Sequence, residues 1–366
     1  MPDCETSADR IGTAAEAGCA VGPTGNYRVV QIHPTLRCNL RCLHCYSSSS
    51  PESAQTLAIE QINDTLTVLA AEGITVASFS GGEPLMYREL GEALRHARSL
   101  GLTTTVTTNG MLLDTDRAAM LRDWACVVAV SIDGKPASHN ELRVNPRAFE
   151  ITTKKLQLLR DEGVPFGIIF TLTMYNLDEL EWVASYAAEQ GAGLLQIHPL
   201  EETGRAEEAL ARNAPDDLEL AHAFVAVSKL LKQYRDRMLI QFDVVDRENL
   251  SGNRSRVFAD PVWQERDFRG LPLGNLVSPI VLRPDGVLMP IQYNFADAYR
   301  IASIGAGPLA AQFPQWKEDV YPRFLALTQR VYREIMEPGF SSYPILNWYD
   351  LLARCSAATA RSGAFG

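Results

Sequence analysis

Short apolar runs alternate with amphipathic segments along the first two thirds of the chain. Six runs rich in branched side chains predict buried β-strands, at residues 29–33, 75–79, 103–107, 126–132, 166–172 and 194–198. Five intervening segments repeat apolar residues at spacings of three and four, which predicts helices at residues 58–72, 87–100, 114–124, 148–162 and 177–190. Four of these segments are followed by a glycine, the residue that most often ends a helix in a left-handed conformation: Gly73, Gly101, Gly163 and Gly191.

The order of these elements predicts the fold class. Strands that alternate with helices form a parallel sheet with right-handed crossovers. Six such units indicate an α/β fold with a partial (β/α)6 barrel that stays open, in contrast to the closed barrel of eight units. In parallel barrels the functional side chains collect at the C-terminal ends of the strands. The loops that follow the six strands are therefore where we expect the site.

The remaining third of the chain has a different pattern. A helix is predicted at residues 218–235, and an apolar run follows at residues 238–245. Residues 278–290 hold the turn sequence Arg283-Pro284-Asp285-Gly286 between two apolar runs, which predicts a β-hairpin. We therefore divide the chain into a mobile leader at residues 1–26, rich in Ala, Gly, Thr and acids, a barrel core at 27–215 and an α+β extension at 216–366.

Composition and charge exclude several classes of protein. The 366 residues are 46% hydrophobic, which is enough for a full core, and their net charge is -10. Because the net charge is negative and the sequence has no sustained basic stretch, a nucleic-acid partner is not expected. No run reaches the roughly eighteen apolar residues of a membrane span, and the first 28 residues lack the apolar centre of a signal peptide. We expect a cytoplasmic protein without a membrane partner.

Three of the seven cysteines stand close together. Cys38, Cys42 and Cys45 have the spacing CxxxCxxC directly after the first predicted strand. A tight loop with this spacing can direct three thiolates at one iron–sulfur cluster. Four-iron clusters normally take four thiolates, so a set of three leaves one iron open for another ligand. The alternative is a tetrahedral zinc site, for which His33 or His44 would have to supply the fourth ligand.

The CxxxCxxC spacing resembles that of the radical SAM superfamily. The resemblance implies one 4Fe-4S cluster whose open iron chelates the amino and carboxylate groups of S-adenosylmethionine. One electron, from an external reductant such as flavodoxin or ferredoxin, then cleaves this cofactor to a 5'-deoxyadenosyl radical that abstracts hydrogen from a substrate. His44 stands just before the third cysteine, where the family usually places a planar residue near the adenine.

The resemblance continues after the second and third predicted strands. Ser80, Gly81, Gly82 and Glu83 belong to a GGEP motif, which in this superfamily holds the methionine amino group. The glycine carbonyls and the Glu83 carboxylate are suited to accept hydrogen bonds from an ammonium group. Without a cysteine loop one βα unit earlier, the same string would be read as an ordinary turn. Asn109 is expected to organise the third loop, within reach of the cofactor.

The fourth and fifth strands end in further candidates. Ser131 and Asp133 are two residues apart, so both side chains are expected to face the barrel interior, where Asp133 can bind ribose hydroxyls and Ser131 can add a hydrogen bond. The resemblance implies that Arg143 pairs with the methionine carboxylate as a bidentate clamp, and a solvated surface arginine is the alternative. Thr171 and Leu172 could offer backbone hydrogen bonds to adenine, by analogy of fold.

Substrate-side residues are expected near the sixth strand. Gln196 and His198 alternate there and could both face the barrel interior, as catalytic or substrate-binding groups. The alternative for His198 is a structural histidine satisfied by its neighbours. Cys355, alone near the C-terminal end of the sequence, is a candidate donor of a hydrogen atom to a substrate radical.

The predicted C-terminal hairpin resembles the start of a SPASM domain, which many peptide-modifying radical SAM enzymes carry. Met289-Pro290-Ile291 stands where that module has a cysteine, and no cysteine cluster follows. We therefore expect a SPASM-like extension without auxiliary clusters. The expected function is the modification of a side chain in a ribosomally made peptide or protein. Two alternatives stay open: a small-molecule substrate, such as a nucleoside, sugar, amino acid or porphyrin side chain, and a non-catalytic iron–sulfur carrier or sensor.

Overall fold

The computed structural model describes residues 27–252, 267–337, 339–341 and 343–361. The predicted leader, residues 1–26, lies outside the described residues. The strands are β1 Val29–Ile32, β2 Val76–Phe79, β3 Thr103–Thr108, β4 Val127–Ser131, β5 Phe166–Leu172, β6 Leu194–Pro199, β7 Leu239–Phe242, β8 Val245–Asp246, β9 Ile280–Leu282, β10 Val287–Pro290, β11 Ala302–Ser303 and β12 Ile345–Leu346. The α-helices are α1 Ile59–Ala71, α2 Leu90–Ser99, α3 Thr115–Trp124, α4 Pro136–Leu142, α5 Ala148–Asp161, α6 Leu180–Glu189, α7 Ala206–Ala209, α8 Asp217–Tyr234, α9 Arg247–Gly252, α10 Leu309–Asp319, α11 Tyr321–Met336 and α12 Trp348–Arg361.

Ten of the strands in these ranges form one sheet, with the order β11-β10-β9-β1-β2-β3-β4-β5-β6-β7. From β1 to β7 the strands run parallel, each paired with the next along the chain. The predicted α/β fold with an open parallel barrel is confirmed, since β7 and β11 remain the two edges of the sheet in the described part of the chain. The loops after β1 to β6 therefore lie at one end of the barrel.

Local sequence accounts for the bounds of these elements. The β3 sequence TTTVTT alternates between half-buried and buried positions, as expected for branched side chains in a pleated strand. The helix α3 begins after Asp114, whose side chain accepts a hydrogen bond from the backbone nitrogen of Arg117. The four predicted helix-ending glycines all have a positive φ, between 67° and 83°.

The predicted hairpin is present as β9 and β10, but it does not stand apart from the barrel. Strand β9 pairs in parallel with β1, so that Val30 lies opposite Ile280, and β10 pairs antiparallel with β9. All seven residues of the two strands are buried. The sheet thus runs across the predicted boundary at residue 215, and the division into core and extension stays a prediction.

The helices α10, α11 and α12 complete the fold beyond the hairpin. Phe313, Trp316, Tyr321 and Phe324 from α10 and α11 are nearly fully buried. They belong to the same hydrophobic cluster as the strands of the barrel, so the extension and the barrel share one core. No helix in the described part of the chain is long and apolar enough to cross a membrane.

Candidate active site

The three cysteines of the CxxxCxxC segment lie together in the loop after β1. Cys38 and Cys42 are buried and Cys45 is half-buried, and the three pack in one small cluster with Leu40 and Met111. None of the three forms a disulfide. Burial, the largest cause, raises the pKa of Cys38 to about 12 and that of Cys42 to about 11. The Cys38 and Cys42 thiols are therefore protonated until a metal displaces the protons.

The arrangement fits an iron–sulfur cluster better than a single zinc ion. In the described ranges no three His, Cys, Asp or Glu side chains converge as ligands of one metal ion. A cubane 4Fe-4S cluster does not need ligands that converge on one ion, because each thiolate binds a different iron at a different corner. His33, one of the two proposed zinc ligands, has its Nε2 within 3.3 Å of the Tyr46 hydroxyl. Three unbridged thiols around one apolar pocket are the donor set that iron–sulfur chemistry requires.

The GGEP segment after β2 packs directly against the cysteine loop. A Cβ atom on Gly82 would lie 2.3 Å from the carbonyl oxygen of Arg37, so only glycine fits there. The backbone nitrogen of Glu83 donates to the same carbonyl over 3.0 Å. Gly81 has a φ of 110°, and its Cβ position lies 3.0 Å from the carbonyl oxygen of Thr35. The two glycines therefore let the β1 and β2 loops touch through their backbones.

The Glu83 carboxylate holds the β2 and β3 loops together. Its Oε1 accepts hydrogen bonds from the Thr108 hydroxyl over 2.6 Å and the Leu85 backbone nitrogen over 3.1 Å, and its Oε2 accepts from the Asn109 backbone nitrogen over 2.9 Å. Burial raises the pKa of Glu83, although these hydrogen bonds act in the opposite direction. The Asn109 side chain donates to Asn39 Oδ1 over 2.8 Å, which fits the predicted organising role of Asn109.

Asp133 and Arg143 form a buried ion pair beside Cys42. The Arg143 Nε donates to Asp133 Oδ2 over 2.5 Å, and its Nη1 lies 3.7 Å from the Cys42 sulfur. Asp133 Oδ1 accepts from the backbone nitrogen of Thr171 over 3.2 Å. Burial is the largest single influence and would raise the pKa of Asp133, but the charge and hydrogen bond of Arg143, together with the nearby His44 and His139, outweigh it and lower that pKa. The sequence predicts separate cofactor contacts for these two residues; in the structure they pair with each other, because buried charges need a partner.

His44 lies next to this ion pair. Its Nε2 is 3.7 Å from Asp133 Oδ2, while its buried Nδ1 has no hydrogen-bond partner. Burial lowers the pKa of His44 to about 4, so the ring is neutral and Nδ1 is able to bind a polar group of a ligand. Ser131 is buried at the end of β4, and Ser80 is buried after β2. The six predicted cofactor contacts from Ser80 to Ser131 and the cysteine loop thus lie around one end of the barrel.

Leu172 is the predicted cofactor contact that the structure places least favourably. Its side chain is fully buried in the main hydrophobic core, and its carbonyl oxygen accepts a hydrogen bond from the Leu200 backbone nitrogen over 2.8 Å. The neighbouring Thr171 carbonyl accepts from the Asn176 side chain over 2.9 Å. These two carbonyls are thus already paired, and the geometry favours a packing role for Leu172.

His198 and Gln196 are brought together by two carboxylates that the sequence reading missed. The His198 ring nitrogens lie 3.1 Å from Asp243 Oδ2 and 3.1 Å from Glu201 Oε1, and Gln196 donates to the same Asp243 oxygen over 2.7 Å. Burial lowers the pKa of His198, but the two carboxylates outweigh it and raise that pKa to about 10. His198 is therefore a charged, 34% exposed group that holds its proton at neutral pH. Both carboxylates follow strand ends, β6 and β7, which is the signal that could have identified them.

Cys355 is not brought to the cysteine loop. It lies on α12, half-buried against the main core, whereas the three clustered thiols form a separate group. Burial raises its pKa, with Glu334 of α11 as the next cause. The structure therefore gives no geometric support to the predicted role of Cys355 as a hydrogen donor.

An open parallel barrel with three unbridged thiols after its first strand, and with a glycine–glutamate turn against them, defines a class of enzymes that use an iron–sulfur cluster and S-adenosylmethionine. Residues 32–187 match the model of the Radical SAM superfamily, which marks a radical SAM domain over 43% of the chain. The cofactors of the domain are accordingly a 4Fe-4S cluster and S-adenosylmethionine.

Two curated relatives and one solved structure extend this comparison. The chain is 30% identical to the Fe-coproporphyrin III synthase of Methanosarcina barkeri over 57% of its length and 51% of that protein. It is 28% identical to the antilisterial bacteriocin subtilosin biosynthesis protein AlbA of Bacillus subtilis over 73% of its length and 62% of that protein. The structure of anSMEcpe with bound AdoMet and Cp18Cys peptide has a TM-score of 0.60 and 19% identity, covering 92% of this chain and 97% of that one, which shows a shared fold. The chain spans about half to three fifths of the length of the two curated relatives.

Proposed function

We propose that the chain reductively cleaves S-adenosylmethionine at a 4Fe-4S cluster and uses the product to abstract hydrogen from a substrate. The observation that carries the proposal is the packing of Cys38, Cys42 and Cys45, all free of disulfides, in one pocket at the C-terminal end of β1. The bound cofactors would supply the radical chemistry itself, and the protein would supply position and the exclusion of water. The electron would come from an external reductant such as flavodoxin or ferredoxin.

The chain's own residues take distinct tasks in this proposal. The three thiolates hold the cluster, and Leu40 and Met111 pack around them, which keeps water away. The carbonyls of Gly81 and Gly82 would accept hydrogen bonds from the amino group of the cofactor, because the turn brings that backbone against the cysteine loop.

The acidic, basic and imidazole groups of the pocket bind the rest of the cofactor. Arg143 lies between Asp133 and Cys42, so its guanidinium has donors left for a carboxylate close to the cluster. Asp133 keeps Arg143 oriented and charged. His44 offers its unpartnered Nδ1 to a polar atom of the cofactor.

A peptide or protein side chain is the proposed substrate. The relative named for bacteriocin biosynthesis matches a larger share of the chain than the synthase does, 73% against 57%. The charged group of His198, Glu201 and Asp243 lies at the ends of β6 and β7, where a substrate could meet it.

A small-molecule substrate is the second candidate. The 30% identity to the Fe-coproporphyrin III synthase favours it, because that relative is named for a porphyrin. Incubation of the reduced enzyme with candidate peptides and with iron coproporphyrin III separates the two. A substrate-dependent rise in 5'-deoxyadenosine with one class and none with the other decides between them.

The extension is proposed to be SPASM-like without an auxiliary cluster. Cys355 is the only cysteine of the sequence after residue 215, whereas a further cluster would need several thiolates. Met289, at the position where the resemblance has a cysteine, is fully buried on β10 and forms part of the core. An apolar side chain has taken over the packing of that position.

The direct test is the formation of 5'-deoxyadenosine by anaerobically reconstituted protein with S-adenosylmethionine and dithionite. We expect formation by the wild type and none by a variant with Cys38, Cys42 and Cys45 changed to Ala. The matched control is Cys355→Ala, which removes a thiol outside the pocket and should keep the activity. Equal activity of the triple variant and the wild type would refute the proposal.

A further inference from the structure

The loop after β6 is bound to the cysteine loop through one arginine. The Arg205 guanidinium donates to the carbonyl oxygen of Cys42 over 2.8 Å and to that of Ser49 over 2.7 Å. The backbone nitrogen of Arg205 donates to the carbonyl oxygen of Cys45 over 3.0 Å. One residue thus engages three carbonyls of the segment that carries the second and third cysteines.

The neighbours of Arg205 show that this contact is built into the fold. Gly204 has a φ of 61°, and a Cβ atom there would lie 2.2 Å from the carbonyl oxygen of Tyr46, so a larger residue would force the two loops apart. The Asn294 side chain, from the loop after β10, donates to that same Tyr46 carbonyl over 3.0 Å and to the Thr203 hydroxyl over 2.8 Å. Three separate segments of the chain therefore meet at the backbone between Cys45 and Ser49.

The hydrogen bonds from Arg205 supplement weaker local ones. The Cys42 carbonyl also accepts from the Cys45 backbone nitrogen over 3.3 Å, and the Cys45 carbonyl from Ser48 over 3.2 Å. A carbonyl oxygen has two lone pairs, so Arg205 fills the second site on each. A guanidinium reaches two carbonyls at once because its donors form a rigid planar fork, which a lysine ammonium does not have.

We propose that Arg205 is a positioning residue, which fixes the cysteine loop in the conformation that binds the cluster and places a permanent positive charge beside it. This inference rests on the proposed function as far as the cluster is concerned, but the loop contact itself is a property of the chain alone. Positive charge near a cluster raises its reduction potential, because it stabilises the added electron. The latch, defined as Gly204, Arg205 and Asn294, also ties the loop that carries Glu201 to the cysteine loop.

The first test measures the loop without any cluster. Amide hydrogen exchange of the full, metal-free chain is followed for peptides that cover residues 43–50, in the wild type, Arg205→Gln and Arg205→Lys. We expect these amides to exchange about tenfold faster in Arg205→Gln than in the wild type, because the loop opens more easily without the charge-assisted hydrogen bonds of Arg205. The increase should be smaller in Arg205→Lys.

Arg41→Gln is the matched control, since it removes the same charge from the same loop. The Arg41 side chain is 55% exposed and pairs with the exposed Glu52. Its exchange should stay close to that of the wild type. Equal exchange in Arg205→Gln and Arg41→Gln would overturn the inference.

A second variant guards against loss of the fold in Arg205→Gln. Asn294→Ala removes only an exposed side chain and its hydrogen bonds to Tyr46 and Thr203, so the fold should persist. We expect a smaller acceleration of the same amides, and unchanged exchange in this variant would count against the latch.

The second readout is the midpoint potential of the reconstituted cluster. Arg205→Gln should lower the potential more than Arg41→Gln does, and Arg205→Lys, which keeps the charge, should stay nearer to the wild type. A merely structural Arg205 would leave the potential unchanged in every variant that assembles a cluster. Failure of the wild type to assemble a cluster would refute the proposed function, whereas the exchange experiment would still decide the latch.

Discussion

Replacing Asp133 with Asn should destabilise the folded chain strongly, because the Arg143 guanidinium would be left without its counter-charge. Asp133 is fully buried and Arg143 is 8% exposed. The carboxylate accepts the Arg143 Nε over 2.5 Å and the Thr171 backbone nitrogen over 3.2 Å. Removing one partner of a buried ion pair typically costs about 3 to 5 kcal/mol. Since folded domains are stable by only about 5 to 15 kcal/mol, this loss is roughly a fifth of the total or more.

The assay is urea unfolding of the metal-free chain at pH 7, followed by circular dichroism. The matched control is Asp123→Asn, which removes a 2.9 Å side-chain pair with Arg122 on the surface, where both partners are about half exposed. Exposed pairs contribute about 0 to 1 kcal/mol, so the control should unfold nearly with the wild type. If Asp133→Asn unfolds at the same urea concentration as the control, the account of this ion pair is wrong.

The pH dependence of this effect has a definite sign. The pKa of Asp133 is lowered in the folded chain from its usual value of 3.8. The ion pair therefore stabilises the fold above that value, and the contribution is lost only as the pH falls below it. The difference between wild type and Asp133→Asn should stay constant from pH 5 to pH 8, which a pH series of the same unfolding curves would check.

Three further predictions concern other parts of the site. His198→Gln should cost stability below pH 6.5, and the cost should disappear as the pH rises through about 10, the raised pKa of His198, in unfolding curves across that range. Gly82→Ala should reduce the iron content after reconstitution at least severalfold, because its Cβ would lie 2.3 Å from the Arg37 carbonyl oxygen; wild-type iron content would contradict this. Cys355→Ser should leave the yield of 5'-deoxyadenosine unchanged, and a large loss would restore a role for that thiol.

The barrel could be predicted from the sequence because its signals are local. A buried parallel strand such as β5 is a continuous apolar run, and its predicted bounds, residues 166–172, are those of the structure. The predicted bounds of β1 and β4 differ from the observed ones by one residue at one or both ends, since the ends of a strand depend on hydrogen bonds to the neighbouring strands of the sheet.

Pairing between distant segments was beyond the reach of the sequence reading. The hairpin of β9 and β10 was predicted, yet its parallel pairing with β1 joins residues about 250 positions apart, and no local pattern carries that information. The same reason explains why β7 was read only as an apolar run, although it is the seventh parallel strand of the sheet.

In the candidate active site, too, residues in local motifs could be predicted and contacts between distant segments could not. The cysteine loop and the GGEP segment are motifs, so Cys38, Cys42, Cys45 and Glu83 could be identified one by one. The partners of buried charges could not, since the pairing of Asp133 with Arg143 depends on the three-dimensional path of the chain. Arg205 carries no motif that marks it in the sequence, and its role appears when the β6 loop is seen against the cysteine loop.

The central claim is that three cysteines hold a 4Fe-4S cluster with one iron open to S-adenosylmethionine. The most direct measurement is the iron content of the reconstituted chain together with the electron paramagnetic resonance spectrum of its reduced form, before and after addition of S-adenosylmethionine. The account predicts about four irons per chain and a signal that changes when the cofactor is added. About eight irons would contradict the assignment of a single cluster. A four-iron signal that does not change when S-adenosylmethionine is added would contradict the claim that one iron is open to this cofactor.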